Sequence, residues 1–191
     1  LGVDIAHIAE VLAAFGADPR DNPGRLQRWR YGDVQAGCVQ VFLDYAHNPD
    51  GLRGLLQVAE TTRGTGRLGL ILGQAGNRED SDIRALAAVA AEFKPDRVWL
   101  KDIAGDYMRG RVAGEIATIL RDELLQQGLP ESALAVCLEE ARAAREALAW
   151  ARAGDVLVLP IHEPAARDEV VSLLDRLQAM HWRAGSVLPD E

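Results

Sequence analysis

Asp44-Tyr45-Ala46-His47-Asn48-Pro49 is the densest run of chemically capable side chains in this 191-residue sequence. An apolar stretch ends at Leu43 and a carboxylate follows at once. A charge so close to a buried strand needs a partner, and a sugar hydroxyl or a metal-linked water would serve. His47 can take or give a proton near neutral pH, so it is the candidate for acid–base work. Asn48 can cap a following helix, and Pro49 suits a first turn, where no N–H is required. The same residues also describe a well-capped strand-to-helix turn with no ligand at all.

Four further clusters could contribute. Gly73-Gln74-Ala75-Gly76-Asn77-Arg78-Glu79-Asp80 combines glycines, which permit close backbone approach, with a helix start that favours anions. Its spacing departs from Gly-x-Gly-x-x-Gly, which argues against a dinucleotide site. As a plain loop it would hold Asp80 or Ser81 as helix cap. Lys101-Asp102 followed by Arg109-Gly110-Arg111 mixes both signs of charge and reads equally as a solvated loop. Asp21-Asn22-Pro23-Gly24-Arg25 is by composition a turn ending in an exposed cation. Ile161-His162-Glu163 ends an apolar run, where a lone histidine is commonly structural.

Elements that could position these residues are legible in the periodicity. Alternating or continuous apolar runs predict strands near Leu26–Tyr31, Cys38–Leu43, Leu68–Leu72, Arg97–Leu100, Leu134–Leu138 and Val156–Leu159. Helical spacing predicts helices over Pro49–Thr62, Asp80–Phe93, Arg111–Gln127, Glu139–Ala153 and Arg167–Met180. Gly32-Asp33 suggests a hairpin between the first two strands. Each later strand followed by a helix is a βα unit. The expected architecture is therefore α/β, a mostly parallel, doubly wound sheet flanked by helices, with an N-terminal hairpin. Such a sheet gathers the strands' carboxyl ends, and every cluster above, on one rim.

Bulk properties exclude several classes. A formal net charge of −8 argues against a nucleic-acid binder. No apolar run approaches the ~20 residues of a membrane span, and no signal pattern opens the chain, so a cytoplasmic protein without membrane partners is expected. Cys38 and Cys137 lie far apart in apolar runs and read as buried free thiols. Trp29, Trp99, Trp150 and Trp182 read as packing residues. Ile5, Ile8, Leu12 and Phe15 recur at helical spacing from the very start, with Gly16 as a stop. The only lysines are Lys94 and Lys101, and neither belongs to a phosphate-binding Gly-x-x-x-x-Gly-Lys loop. The chain reads as part of a longer polypeptide, with residues 1–18 a helical remnant, 19–183 one domain and 184–191 a frayed tail.

Asn-Pro-Gly-Arg before one strand and Asp-Tyr-Ala-His-Asn-Pro after the next resemble the C-terminal domain of the Mur ligase superfamily. Lys-Asp, Arg-Gly-Arg and a helix through Gly114-Glu115-Ile116 narrow the likeness to cyanophycin synthetase, where the loop carries Lys-Glu-Asp. The resemblance spans about Pro19 to Gln178. It implies an ATP-dependent acid–amino-acid ligase, with ATP and Mg²⁺ held mainly by a central domain of the same polypeptide that makes an acyl phosphate. Arg25, Asp44, His47 and Asn48 would then contact the nucleotide. Gly76, Asn77, Arg78, Asp80, Lys101, Arg109, Arg111 and His162 would line the cleft for a small amino-acid or peptide substrate. No metal ligand is implied here, the separate domain should be inactive, and an oligomer is compatible. Folylpolyglutamate- and peptidoglycan-type ligases are rivals, disfavoured because no Asp-Asn-Pro-Arg motif occurs. A non-catalytic Mur-like scaffold is the rival from another class.

Overall fold

The computed structural model describes residues 4, 5, 7, 24–33, 37–103 and 105–189. Most of the predicted opening helix and of the following link lies outside the described residues. Six strands form one sheet: β1 (Gln27–Tyr31), β2 (Val39–Asp44), β3 (Leu68–Leu72), β4 (Arg97–Leu100), β5 (Leu134–Val136) and β6 (Val156–Pro160). Their order across the sheet is β1-β2-β6-β3-β4-β5. β1 pairs with β2 antiparallel, as the hairpin signal predicts, and all other pairings are parallel.

Alternation along the strands sorts the core into two layers. Phe42, Leu70, Val98 and Val158 face one layer, where they meet α1 (Pro49–Arg63), α2 (Asp80–Glu92) and α3 (Glu115–Gln126). Val41, Ile71, Trp99 and Leu157 face the other, covered by α4 (Glu140–Trp150) and α5 (Pro164–Ala179). Because both faces are covered, these central strands read as near-continuous apolar runs. β2 sends its helix to one face and its neighbour β6 to the other. Their carboxyl ends therefore flank the crevice at which such sheets take ligands.

Several boundaries differ from the sequence reading. α3 starts at Glu115 rather than Arg111, after Gly114 at φ 83°. α5 starts at Pro164 rather than Arg167, because the Glu163 carboxylate accepts the Ala166 N–H at 2.5 Å; Glu is an uncommon cap, so the signal was missed. Within the expected tail, contacts with the rest of the domain run as far as residue 189. Ala184 and Leu188 pack on the second layer, and Arg145 Nη1 donates to the Pro189 carbonyl at 3.0 Å. Both cysteines are free, Cys137 buried and Cys38 half-buried. Trp99 and Trp150 pack edge to face with centroids 5.6 Å apart. No helix among the described residues is long and apolar enough to cross a membrane.

Candidate functional site

The rim forms because register forces it. Asp44 pairs with Pro160, Leu72 with Leu100, and Leu100 with Val136, so the segments after β2, β3, β4, β5 and β6 leave the sheet together. β1 runs the other way, so its first residues arrive beside the end of β2. There the Leu26 N–H donates to Asp44 Oδ2 at 2.7 Å. Leu26 adopts φ 45°, which turns the chain from Arg25 into the strand. One oxygen of Asp44 is thus committed to fastening the hairpin, and the side chain is only half-buried.

Tyr45 is the hub of this corner. Its hydroxyl donates to the His162 carbonyl at 2.9 Å. The guanidinium carbons of Arg25 and Arg167 lie 5.6 and 5.8 Å from its ring centroid. His47 Nδ1 lies 2.9 Å from the Tyr45 carbonyl. A carbonyl only accepts, so Nδ1 carries the proton and Nε2 of the neutral ring is the lone-pair nitrogen. Asn48 caps α1 through Oδ1, which accepts the Gly51 N–H at 2.8 Å, and Pro49 opens the helix as its sequence position predicts.

A buried polar knot lies beneath the rim. Lys101 is 0 % exposed, His162 3 % and Glu140 4 %. Lys101 Nζ contacts Glu140 Oε1 and lies 2.8 Å from His162 Nδ1. Glu140 also accepts the backbone N–H groups of His162 at 2.9 Å and Glu163 at 2.7 Å. His162 Nε2 lies 2.9 Å from the Ala46 carbonyl, so Nε2 carries the proton and Nδ1 accepts from lysine. Burial resists ionisation of Glu140, but the Lys101 charge and these donors overcome it and bring its pKa to about 2. Burial pushes the Lys101 ammonium below its ordinary value. Burial, then the lysine charge, lowers that of the His162 imidazole. The knot ties the ends of β4 and β6 and the start of α4 to the Asp44–Pro49 loop.

The sequence reading placed Lys101 and His162 in the cleft, whereas the structure seats both in the core below it. Their surroundings explain the difference: Glu140, at the start of α4, supplies the countercharge. The remaining cleft residues form a second knot. Gly76 N–H donates to the Tyr107 carbonyl at 2.8 Å. A Cβ at Gly76 would stand 1.9 Å from the Met108 carbonyl oxygen, so only glycine permits the approach. Arg111 staples the same two loops, donating to the carbonyls of Gly76 at 3.1 Å and Arg78 at 2.8 Å. It also pairs with Asp80 and Glu115, each at 2.7 Å. Asp80 therefore serves Arg111 and caps nothing; Glu79 occupies the cap position without a side-chain bond. Asn77, Arg78 and Arg109 remain exposed along this edge. No group of three His, Cys, Asp or Glu side chains among the described residues could hold a metal ion.

The described residues thus form a doubly wound domain with an antiparallel first strand, and Arg25, Asp44 and the Gly76 loop lie along its rim. The sequence profile described as "Mur ligase, glutamate ligase domain" matches residues 24–160, and the chain belongs to that family. Cyanophycin synthetase of Crocosphaera subtropica is 31 % identical over 175 residues, covering 92 % of this chain and 18 % of that protein. UDP-N-acetylmuramoyl-L-alanyl-D-glutamate–2,6-diaminopimelate ligase of Gloeobacter violaceus is 34 % identical over 162 residues, covering 83 % of this chain and 29 % of its own length. This chain thus spans less than a third of these relatives. Bifunctional folylpolyglutamate synthase/dihydrofolate synthase of Yersinia pestis, solved with AMPPNP and a manganese ion, shares the fold. Its TM-score is 0.57 at 21 % identity, over 95 % of this chain and 35 % of that one.

Proposed function

We propose that this chain is the domain of an ATP-dependent amide-bond ligase of the cyanophycin synthetase type that positions the nucleotide and the incoming amino acid. The observation that carries the reading is the return of β1 to the end of β2. It sets the exposed Arg25 beside Asp44, Tyr45 and His47 at the crevice between oppositely wound strands. In the proposed assignment, Arg25 contacts the nucleotide and the second oxygen of Asp44 accepts a ribose hydroxyl. His47 offers Nε2 and Asn48 its amide N–H groups. ATP with Mg²⁺ supplies the phosphoryl group that activates a carboxylate, and other domains of the same cytoplasmic polypeptide hold most of it. Gly76, Asn77, Arg78 and Arg109 line the approach of the amine, in a loop that Asp80 and Arg111 keep in shape. Lys101 and His162 act from beneath, by fixing the loop that carries Asp44. Such a domain works by orientation, which can supply several orders of magnitude in rate without covalent chemistry from the protein.

The Gloeobacter relative favours a second reading, a peptidoglycan-type ligase, at comparable identity. An amino-acid-dependent phosphate-release screen on the polypeptide that carries this chain separates the two. Arginine or aspartate dependence supports the first, diaminopimelate or lysine dependence the second, and no release with any amino acid points to a scaffold. In the active enzyme, Arg25→Ala and Asp44→Ala should each lower turnover about ten- to a hundredfold, as expected for loss of a charged hydrogen bond. Normal turnover in folded Asp44→Ala removes the nucleotide assignment.

A further inference from the structure

Arg167, on the first turns of α5, has no role in the family motifs, yet it converges with Arg25 on the ring of Tyr45. Its aliphatic stem runs under Gly24, where a Cβ would meet Arg167 Cδ at 3.2 Å and where φ is +76°. The glycine of the Pro-Gly-Arg turn therefore lets the first residues of the hairpin close onto Arg167. The side chain is 22 % exposed, and the nearest carboxylate, that of Asp168, stands 3.9 Å away, beyond hydrogen-bond reach. Neighbouring acids accept from other donors, Glu140 through both oxygens and Asp44 and Glu163 through one each. Asp44 Oδ2 accepts from Leu26, Glu163 Oε2 from Ala166, and both oxygens of Glu140 accept from the knot. Among the described residues, no group accepts a hydrogen bond from either guanidinium. Two like charges thus lie against one aromatic ring, with no acceptor for their donors among the described residues.

Such an arrangement suits an anion from outside. A guanidinium presents a planar fork of donors that matches phosphate oxygens, and the ring face steadies the cation while leaving that fork open. We infer that Arg167 is a second phosphate-contacting residue, gripping with Arg25 the phosphate chain of the nucleotide bound at this rim. The inference rests on the nucleotide reading above and adds to it a residue from the opposite end of the chain. Tyr45 is the one ring that both cations lie against.

The test is an NMR titration of this chain with inorganic tripolyphosphate, ATP and adenosine in parallel. Tripolyphosphate and ATP should shift the Arg25 and Arg167 side-chain signals. Arg167→Gln should weaken both ligands about tenfold with adenosine unaffected, and Arg167→Lys should fall between because charge remains while the fork is lost. Unaltered tripolyphosphate binding in Arg167→Gln, with Arg25→Gln impaired, overturns the role of Arg167 and leaves the nucleotide site intact. Equal losses for adenosine and tripolyphosphate also overturn it, since Arg167 would then only be shaping Tyr45. If neither arginine variant nor Asp44→Ala changes ATP binding, the nucleotide reading itself falls. Absence of any shift at about 10 mM tripolyphosphate, a concentration that reports millimolar affinity, refutes the inference outright.

Discussion

Glu140→Gln removes one charge from the most enclosed polar group under the rim while keeping its shape. Glu140 ionises at about 2 in the folded chain against 4.5 in the ordinary state. Neutralising it at pH 7 therefore costs about 3 kcal/mol, from 1.36 kcal/mol for each unit of that difference. The side chain is 3 % exposed, so solvent screens little of this. The variant also leaves the Lys101 ammonium without its carboxylate, the situation that makes breaking a buried pair expensive. A loss of that size corresponds to a fall in melting temperature of roughly 6–12 °C for a domain of this length. The depressed carboxylate stabilises fully above its unfolded value and ceases to do so as pH falls through the folded one. The gap between the two proteins should therefore be full at neutral pH, shrink below about 4.5 and close near 2. His162 titrates in both proteins, so urea unfolding should be followed as the difference between them across this range. A variant as stable as the parent at pH 7, or a gap indifferent to acid, refutes the account of the buried knot.

Three further outcomes are expected. Gly76→Ala forces a methyl group against the Met108 carbonyl, so it should destabilise by at least the ~1–3 kcal/mol typical of overpacking, and unchanged urea midpoints would contradict the loop contact. Alkylation at pH 8 should label half-buried Cys38 well before Cys137, whose thiol burial pushes up to about 11; peptide mapping reads the order, and equal rates refute it. Because no P-loop is present, this chain alone should bind ATP only at millimolar level, and calorimetry giving micromolar affinity would sink that expectation.

The fold was legible because its strands are long apolar runs broken by glycine, proline and capped helix starts, which is local information. Asn48-Pro49 announced α1 to the residue. Arg111 and Lys101 were read less well, and for one reason: a cation's partner is set by tertiary approach. Arg111 stands before its helix, stapling two loops, because Gly76 lets the Tyr107–Met108 backbone come close. Lys101 follows a strand like any rim residue, and nothing adjacent in sequence reveals that its ammonium turns inward onto Glu140. Arg167 was invisible as a site residue since its partner Tyr45 is more than a hundred positions away. The Pro-Gly-Arg turn gave only half of that corner, although its glycine marked where something had to approach closely.

The position of β6 carries a consequence for how this domain comes into being. The last of the described strands in chain order is inserted between β2 and β3, pairing with both along Val156–Pro160. Without it, the β1–β2 ribbon and the β3–β4–β5 half-sheet would share no strand pairing. Each then presents a bare apolar edge, the state that invites pairing with other chains. The six-stranded sheet is therefore continuous only once residues 156–160 are in place. The rim depends on the same strand: the segment that joins the two halves also delivers His162, which fastens the loop carrying Asp44.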